Sequence, residues 1–536
     1  MSRNVPQPVA RLEEVAASHV RESGRTSELE RIAATASTEP SPASPVGETF
    51  SNVRIDHIVY ATVLAWAMGF AGVAAVRQYL FLDRRYDLGN FTQAVWATAH
   101  GHFLEVTEVG GTQVSRLGIH VDPIIVVLAP LWQLWPSPVL LIVVQALGFA
   151  AGALPLFWLG RKYLSSEKDA AMIAGAYLLC PSVTSNALVE FHAVALAVPL
   201  LLFSIWFLDE GRLAFAAAAG GAMLCQEQIG LIVACLGLWY VGRTRKFVPG
   251  IAIAFMGLLV SALDFDVVLK HFSGGSPYAG RFTAVGASSA GLLDNLFSHP
   301  LTILGAVQPT DLVGLILVVP VLGLCLRSPL LFAAFPQVAI LVLSDRVADW
   351  NFATQNVLPI IPFVYAGTVL ALSSSTRRSR GRGPRIPARH VLAASIVIAI
   401  SFWLSLGRPD LPSWSRVTAE RHAVSLVPAD AKVSTTNHLG SHLAARRYLY
   451  VFPVLRNADW VVIDSGDNNL PDVGHLQHRS GIGVGVHDLY WQPRLMQREL
   501  KKLERSPQWK LVYRRSNVYV FARKAPYRIA PISRES

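Results

Sequence analysis

YDLGNFTQAVWATAHGHFLEVTEVGGTQVSRLGIHVDP, residues 86–123, is the stretch from which the rest of the chain is read. Within it stand Asp87, Gln93, His100, His102, Glu105, Glu108, Arg116, His120 and Asp122, with Asp83 just before it. The run Ile55–Leu80 precedes it and the run Val139–Leu159 lies beyond it, each long enough to cross a bilayer. Elsewhere in the apolar part of the chain that follows residue 54, polar chemistry is scarce. A polar loop held between membrane spans is either a solvated connector or the place where function sits.

Composition agrees with a membrane setting. Only 15% of residues are charged, against roughly 25% in soluble domains, and the mean hydropathy is +0.39. With repeated apolar runs of near-spanning length, the chain reads as an α-helical polytopic membrane protein. The formal net charge is +11. Part of that excess is the run Thr376–Arg389, with six arginines and no acid. Between two spans it reads as a cytoplasmic loop. No aromatic or fold signal accompanies it, so nucleic acid is not an expected partner. The four cysteines lie in or at the ends of apolar runs without metal-ligand spacing, and read as small buried hydrophobes.

Residues 1–54 are rich in Ser, Ala, Pro, Glu and Arg and lack the apolar surface to fold alone. No apolar segment begins near Met1, so the first span is expected to act as a signal anchor. The transmembrane domain is placed at residues 55–407, with an outer loop and juxtamembrane helices at 81–137 and a basic cytoplasmic loop at 373–389. About eleven spans are expected from apolar length. Ile124–Trp135 is short for a crossing and is read as juxtamembrane or re-entrant. Leu213–Val241 is broken by Gln226-Glu227-Gln228 and is read as two short helices meeting at that triplet. Orientation by Lys and Arg puts the N-terminus in the cytoplasm and the loops at Asp87, His120, Glu190 and Asp345 outside. The expected location is the plasma membrane.

Residues 410–536 change character. KVSTT, YLYVF, DWVVID, WKLVYRR and NVYVFAR read as strands. Trp414–Leu426 and Pro493–Leu503 have helical spacing. The expectation is a small extracytoplasmic α/β domain. GIGVGV at Gly481 lacks the spacing of a nucleotide loop.

Several residues are open to two readings. Asp87 is either the N-cap of a helix starting at Leu88 or Gly89, or a carboxylate facing a cavity and able to take a proton from an acceptor hydroxyl. His120 either caps the helix after Asp122-Pro123 or binds an anionic group. Glu190 and His192, two apart on an extended segment, form a metal pair, a phosphate-binding pair or a satisfied loop pair. Glu227 is either a functional carboxylate near membrane depth or the tip of a loop at the headgroups.

YDLGNFTQ, HVDPIIVVLAPLWQLWPSP, EFHA at Glu190, QEQIGL at Glu227 and VPADAKVSTTNHLGSHLAARRYLYVFP together resemble a family of predicted bacterial membrane proteins, domain of unknown function 2079. The resemblance spans roughly residues 60–470 and implies no activity. An acid after the first span, a His-led amphipathic segment and a span ending in Arg are also similar to the GT-C glycosyltransferases. That resemblance implies a GT-C-like fold and sugar transfer from a polyprenyl-phosphate donor to a cell-envelope glycan or protein acceptor. Asp87 carries over as the catalytic base. His120 matches the start of the juxtamembrane segment. The two adjacent acids frequent in the GT-C motif are not both present, since Asp87 stands between Tyr86 and Leu88. Gln93, Arg116, His120, Glu190, His192 and Glu227 are the expected substrate-binding residues, with Arg116, His192 or Arg281 facing the leaving phosphate. No cofactor is called for, and a divalent metal is left open. The alternatives are a transporter or flippase, for which Glu227 would be a proton or substrate site, and a non-catalytic envelope scaffold.

Overall fold

In a computed structural model, residues 46–273, 282, 294–295, 298–299, 301, 316–344, 354–378, 387–406, 411–467, 469–471 and 489–524 are described. The N-terminal residues to 45, Arg281 and most of the loop after His271, the loop from Asp345, the arginine run at 379–386 and the GIGVGV stretch lie outside them.

Among the described residues, five helices are long and apolar enough to cross a membrane: Arg54–Tyr79, Val139–Tyr163, Phe247–Ser273, Gln355–Ser373 and Ala388–Ser405. Glu167–Leu178 and Pro181–Leu188 pass the same test only together and are bent by 49° at the break between them, as a broken span or a re-entrant loop is. Shorter apolar helices are Pro123–Leu134, Ala193–Asp209, Ala214–Met223, Ile229–Thr244 and Pro329–Leu343. Their outward faces are greasy. Ile58, Leu64, Met68 and Val73 on the first span, and Val248, Ile251, Phe255 and Leu258 on another, are exposed. Water would penalise such stripes, and lipid does not. The protein is a multi-pass helical membrane protein.

The apolar stretch from Leu213 divides as its composition requires. Ala214–Met223 and Ile229–Thr244 are separate helices, and the polar triplet lies in the break. Ile229–Thr244 then packs closely against Phe247–Leu263. Gly230 and Gly237 face Gly257 and Gly250 across the contact, where an added Cβ would strike the opposing backbone. Small residues allow that approach, as membrane helix pairs commonly require.

The stretch opening at Tyr86 is folded rather than solvated. Arg85–Gly89 makes one wide π-turn that leads into the helix Asn90–Ala99. A hairpin follows, β1 (Glu105–Thr107) and β2 (Gln113–Ser115), antiparallel with Val106 opposite Val114. Leu88, Phe91, Val95, Leu104, Val106 and Leu117 join Leu140, Leu141 and Phe191 in one apolar core. The loop is thereby tied to the top of the next span.

The C-terminal residues form the expected α/β unit. β3 (Val433–Thr435), β4 (Leu449–Val451) and β5 (Trp460–Asp464) are parallel. β6 (Asn469–Pro471) and β7 (Leu489–Trp491) pair by themselves. β8 (Trp509–Arg515) and β9 (Val518–Arg523) complete the main sheet antiparallel, in the order β4-β3-β5-β9-β8. Alternation sends Val433, Val462, Val518 and Val520 to one face, under the helix Trp414–Ser425. Val461, Ile463, Tyr519 and Phe521 go to the other, under Pro493–Arg505.

This unit is fastened to the polar stretch. Arg85 is buried, donates to the carbonyls of Thr107 and Leu449, and its own N–H reaches Asn437 Oδ1 at 3.1 Å. Phe81 enters the core of the C-terminal unit and stacks on His442. Gly440 lies against Arg85 so tightly that an added Cβ would overlap the Arg85 Cβ. Neither atom is the end of a flexible chain. Gly440→Ala is therefore expected to destabilise the protein by about 1–3 kcal/mol through overpacking. Thermal unfolding in detergent measures this, and a wild-type melting temperature would contradict the contact.

Candidate functional site

Two polar clusters stand out, joined by a buried ion pair. The first holds Asp87, Glu190 and His192. Asp87 lies within the π-turn, and the following helix has Gly89 at its N-cap with no side-chain cap. The carboxylate of Asp87 is thus free of the capping role. It approaches His192 Nε2 at 3.4 Å, with its side chain 39% exposed. π-turns interrupt helices at functional positions disproportionately.

Glu190 sits behind Asp87 and is buried. Its backbone is left-handed, φ +49°, which differs from the extended segment expected here and turns its carboxyl toward Asp87. Non-glycine residues in that region are strained and cluster at functional sites. Glu190 Oε1 accepts from Arg84 N at 3.1 Å and Oε2 from Leu88 N at 3.4 Å. The two carboxyl groups lie close enough to act on each other's ionisation. Burial first, and then the charges of Asp87 and Asp83, push Glu190 well above the ordinary carboxylate range. For Asp87, desolvation acts upward, but the His192 bond and charge, the Glu190 bond and the charge of Arg116 outweigh it and hold the group at about 2. The surroundings thus push the two carboxyl groups apart, Asp87 downward and Glu190 upward, as expected of adjacent acids. Asp83, beneath them, is pushed to about 6 by burial against the pull of Arg77.

Gln145 fixes this geometry. From the middle of an apolar span its Nε2 donates to the carbonyls of Asn186 and Glu190, each at 2.7 Å, and its Oε1 accepts from His192 N at 2.8 Å. The sequence reading did not select Gln145. Its signal was an uncharged amide alone in a spanning helix, where a polar group requires partners.

The second cluster is His120 with Glu227. His120 Nδ1 is 3.1 Å from Glu227 Oε1, and Val121 N donates to Oε2 at 2.9 Å. The Glu227 side chain is 2% exposed, so it is no loop tip at the headgroups. Its neighbour Gln228 reaches Gln337 Oε1 at 3.3 Å. Glu227→Gln keeps an acceptor for Val121 but removes the charge facing His120. A loss of about 1.5–3 kcal/mol is expected, the range for a hydrogen bond to a charged group. Denaturant unfolding checks it, and an unchanged midpoint would contradict the buried contact.

Between the clusters lies Arg116, expected from sequence to face a ligand and here buried in an internal ion pair. Its side chain is 5% exposed. It grips Asp122 with Nε at 3.1 and 3.0 Å and Nη2 at 2.7 Å. Nη1 donates to Asn90 Oδ1, and the guanidinium lies 3.6 Å above the Phe91 ring. Phe91 in turn meets Phe191 edge-on at 5.0 Å and the His192 ring at 6.4 Å. His120 and Glu227 act on Asp122, and Arg116 acts on Asp87. Contacts run from Asp87 through His192, Phe91 and Arg116 to Asp122, and from there to His120 and Glu227 the influence is electrostatic.

Gln93, expected among the substrate-binding residues, is engaged in internal hydrogen bonds. Buried, it accepts from Thr107 N at 3.0 Å and donates to Thr107 Oγ1 and to the carbonyls of Arg446 and Arg447 at 2.9, 3.1 and 2.8 Å. Both ends of its amide are occupied by the seam with the C-terminal unit.

The model of a family described as "Predicted membrane protein (DUF2079)" matches residues 77–520. No curated protein matches the chain. Among solved structures, the chain is similar to the crystal structure of ArnT from Cupriavidus metallidurans in the apo state. The identity is 14%, the match covers 86% of this chain and 98% of that one, and the TM-score is 0.42.

Proposed function

We propose a catalytic role for a chain that belongs to the DUF2079 family of predicted membrane proteins: transfer of a sugar from a polyprenyl-phosphate donor to a cell-envelope acceptor on the outer face, in one inverting step. The observation that carries this reading is the state of Asp87. Its carboxyl is 39% exposed with His192 Nε2 3.4 Å away, and the contacts of His192 and Glu190 favour its ionised form.

The acceptor hydroxyl hydrogen-bonds Asp87. Its oxygen bonds the anomeric carbon as the bond from that carbon to the phosphate oxygen breaks, and the lipid phosphate leaves with the electron pair. A carboxylate held near 2 is a weak base toward a resting hydroxyl. It takes the proton only as the attacking oxygen becomes acidic through bond formation. Orientation of the hydroxyl is then as much its task as proton transfer. Arg84 is exposed, and its charge acts on Glu190. It replaces Arg116 as the cation that meets the phosphate. Exposed Val127, Leu131, Leu134 and Trp135 on the juxtamembrane segment supply an apolar landing for the polyprenyl chain.

Membranes containing the chain are expected to move labelled sugar from a polyprenyl-phosphate donor into an envelope fraction. Equal incorporation without the chain would reject the activity. The site must also face the donor. Cysteine placed at exposed Lys510 is expected to react with a membrane-impermeant thiol reagent in intact spheroplasts. Reaction only after lysis would put the C-terminal unit, and the proposed site, on the wrong side.

A further inference from the structure

The C-terminal unit holds a polar cluster that the transfer reaction does not use. Glu420 comes from the helix Trp414–Ser425, His438 from the turn after β3, and Asp464 from the end of β5. β3 continues toward β4 on one side of the sheet, while β5 lies on its other side, next to β9. The chain therefore diverges at the carboxyl ends of β3 and β5. In open α/β sheets that divergence opens the crevice where ligands bind.

The three side chains offer two carboxylate oxygens and an imidazole nitrogen within 4.8 Å of one another. His438 Nε2 is 3.1 Å from Glu420 Oε1. The Glu420 side chain is 0% exposed, and its second oxygen, Oε2, meets no hydrogen-bond donor among the described residues. A buried carboxylate oxygen without a donor is unfavourable, and a cation is the group that satisfies it. Asp464 is held in place through Oδ1, which accepts from Gly466 N at 2.9 Å.

Arg416 is the competing cation. Its Nε lies 2.9 Å from Glu420 Oε1, and Nη2 bonds Asp464 Oδ2. One guanidinium is thus shared between two carboxyl groups, and it reaches only one oxygen of each. Arg416 is 36% exposed at the mouth of the crevice, on a long side chain able to swing out.

We propose that Glu420, His438 and Asp464 bind a first-row divalent cation such as Zn²⁺, which displaces Arg416. Oxygen and imidazole ligands suit such an ion, with bonds of about 2.0–2.2 Å and a fourth position open to water. The site has a mechanical outlet. The turn bearing His438 also carries Asn437, which holds Arg85 N, and Ser441, whose Oγ donates to the carbonyl of Asp83 at 3.2 Å. Binding at His438 thus stiffens the seat of the π-turn on which Asp87 is mounted.

The test uses the full chain in detergent, without a histidine tag, titrated with Zn²⁺ by calorimetry and with Co²⁺ by visible absorption. One equivalent is expected to bind. His438→Ala and Asp464→Asn are each expected to weaken binding by at least tenfold. Arg416→Met removes the competitor and is expected to tighten binding by at least tenfold. Without metal, Arg416→Met is expected to melt below the wild type, and Zn²⁺ is expected to restore it. No saturable binding, or an affinity unchanged in all three variants, would overturn the site and leave an ion-pair network only. Because Arg416→Met predicts a gain, failure of another variant to fold leaves the proposal open to refutation.

Discussion

Asp87→Asn is expected to lower sugar transfer by about 10²–10⁴-fold, the usual contribution of a positioned acid–base group, while the protein still folds. Asparagine preserves the shape and one acceptor oxygen. It cannot take a proton, and it offers His192 and an incoming hydroxyl no charge. The helix is indifferent to the exchange, because Gly89 and not Asp87 occupies its N-cap. A small stability effect follows from the held-down carboxyl. A folded-state value near 2 lies below the unfolded value, so Asp87 stabilises the protein above about pH 4 and loses that contribution as pH falls toward 2. The side chain is well exposed, so solvent screens the effect and a large fall in melting temperature is not expected. The assay is transfer from a polyprenyl-phosphate donor in membranes, with melting followed in detergent. Full activity in the asparagine variant would remove Asp87 from catalysis. A protein that loses activity and folding together would show that the π-turn, not the chemistry, needs the charge.

Arg116→Met is expected to destabilise the protein by about 3–5 kcal/mol, the range for breaking a buried ion pair from one side. The methionine fills space beside Phe91 but leaves Asp122 buried and without its cation. Burial already raises the Asp122 carboxyl, and Arg116 is the first of the groups that pull it back down. Without Arg116 its folded-state value rises further above the unfolded one. The sign is then fixed: the variant is least destabilised at low pH, where Asp122 is protonated, and worst as pH rises through that raised value. Unfolding midpoints at pH 5 and pH 8 measure this. Arg116→Met with Asp122→Leu is expected to recover much of the loss, since removing both partners leaves no orphan charge. An Arg116→Met protein as stable as wild type at pH 8 would refute the internal role and restore Arg116 as a ligand-facing cation.

The family model, over residues 77–520, covers most of the segment on which the sequence resemblance was drawn, and the DUF2079 assignment stands. The break at Gln226-Glu227-Gln228 and the strands and helices of the C-terminal unit were also legible. Each is a local signal: apolar length against bilayer thickness, alternation with period two, or a polar interruption where lipid tolerates none. The ionisable residues of the two clusters were legible for a related reason. In a chain so poor in charge, Asp87, Glu190, His192, His120 and Glu227 are conspicuous wherever they stand.

What each of them touches was not legible. Arg84 and Glu190 meet across 106 residues, His120 and Glu227 across 107, and Arg85 and Asn437 across 352. No periodicity encodes such separations. They arise when apolar faces pack and bring distant turns to one place. That packing also decides which polar side chains remain open to a ligand. Gln93 and Arg116 looked as available as Asp87, yet the seam with the C-terminal unit consumes one and Asp122 the other. Gln145 looked idle and proves to hold the site together. Sequence alone determined that the chain crosses the membrane, where its helices break and which residues carry charge. Tertiary structure alone decided the use of each charge, because a buried polar group takes the role of whatever partner packing presses against it.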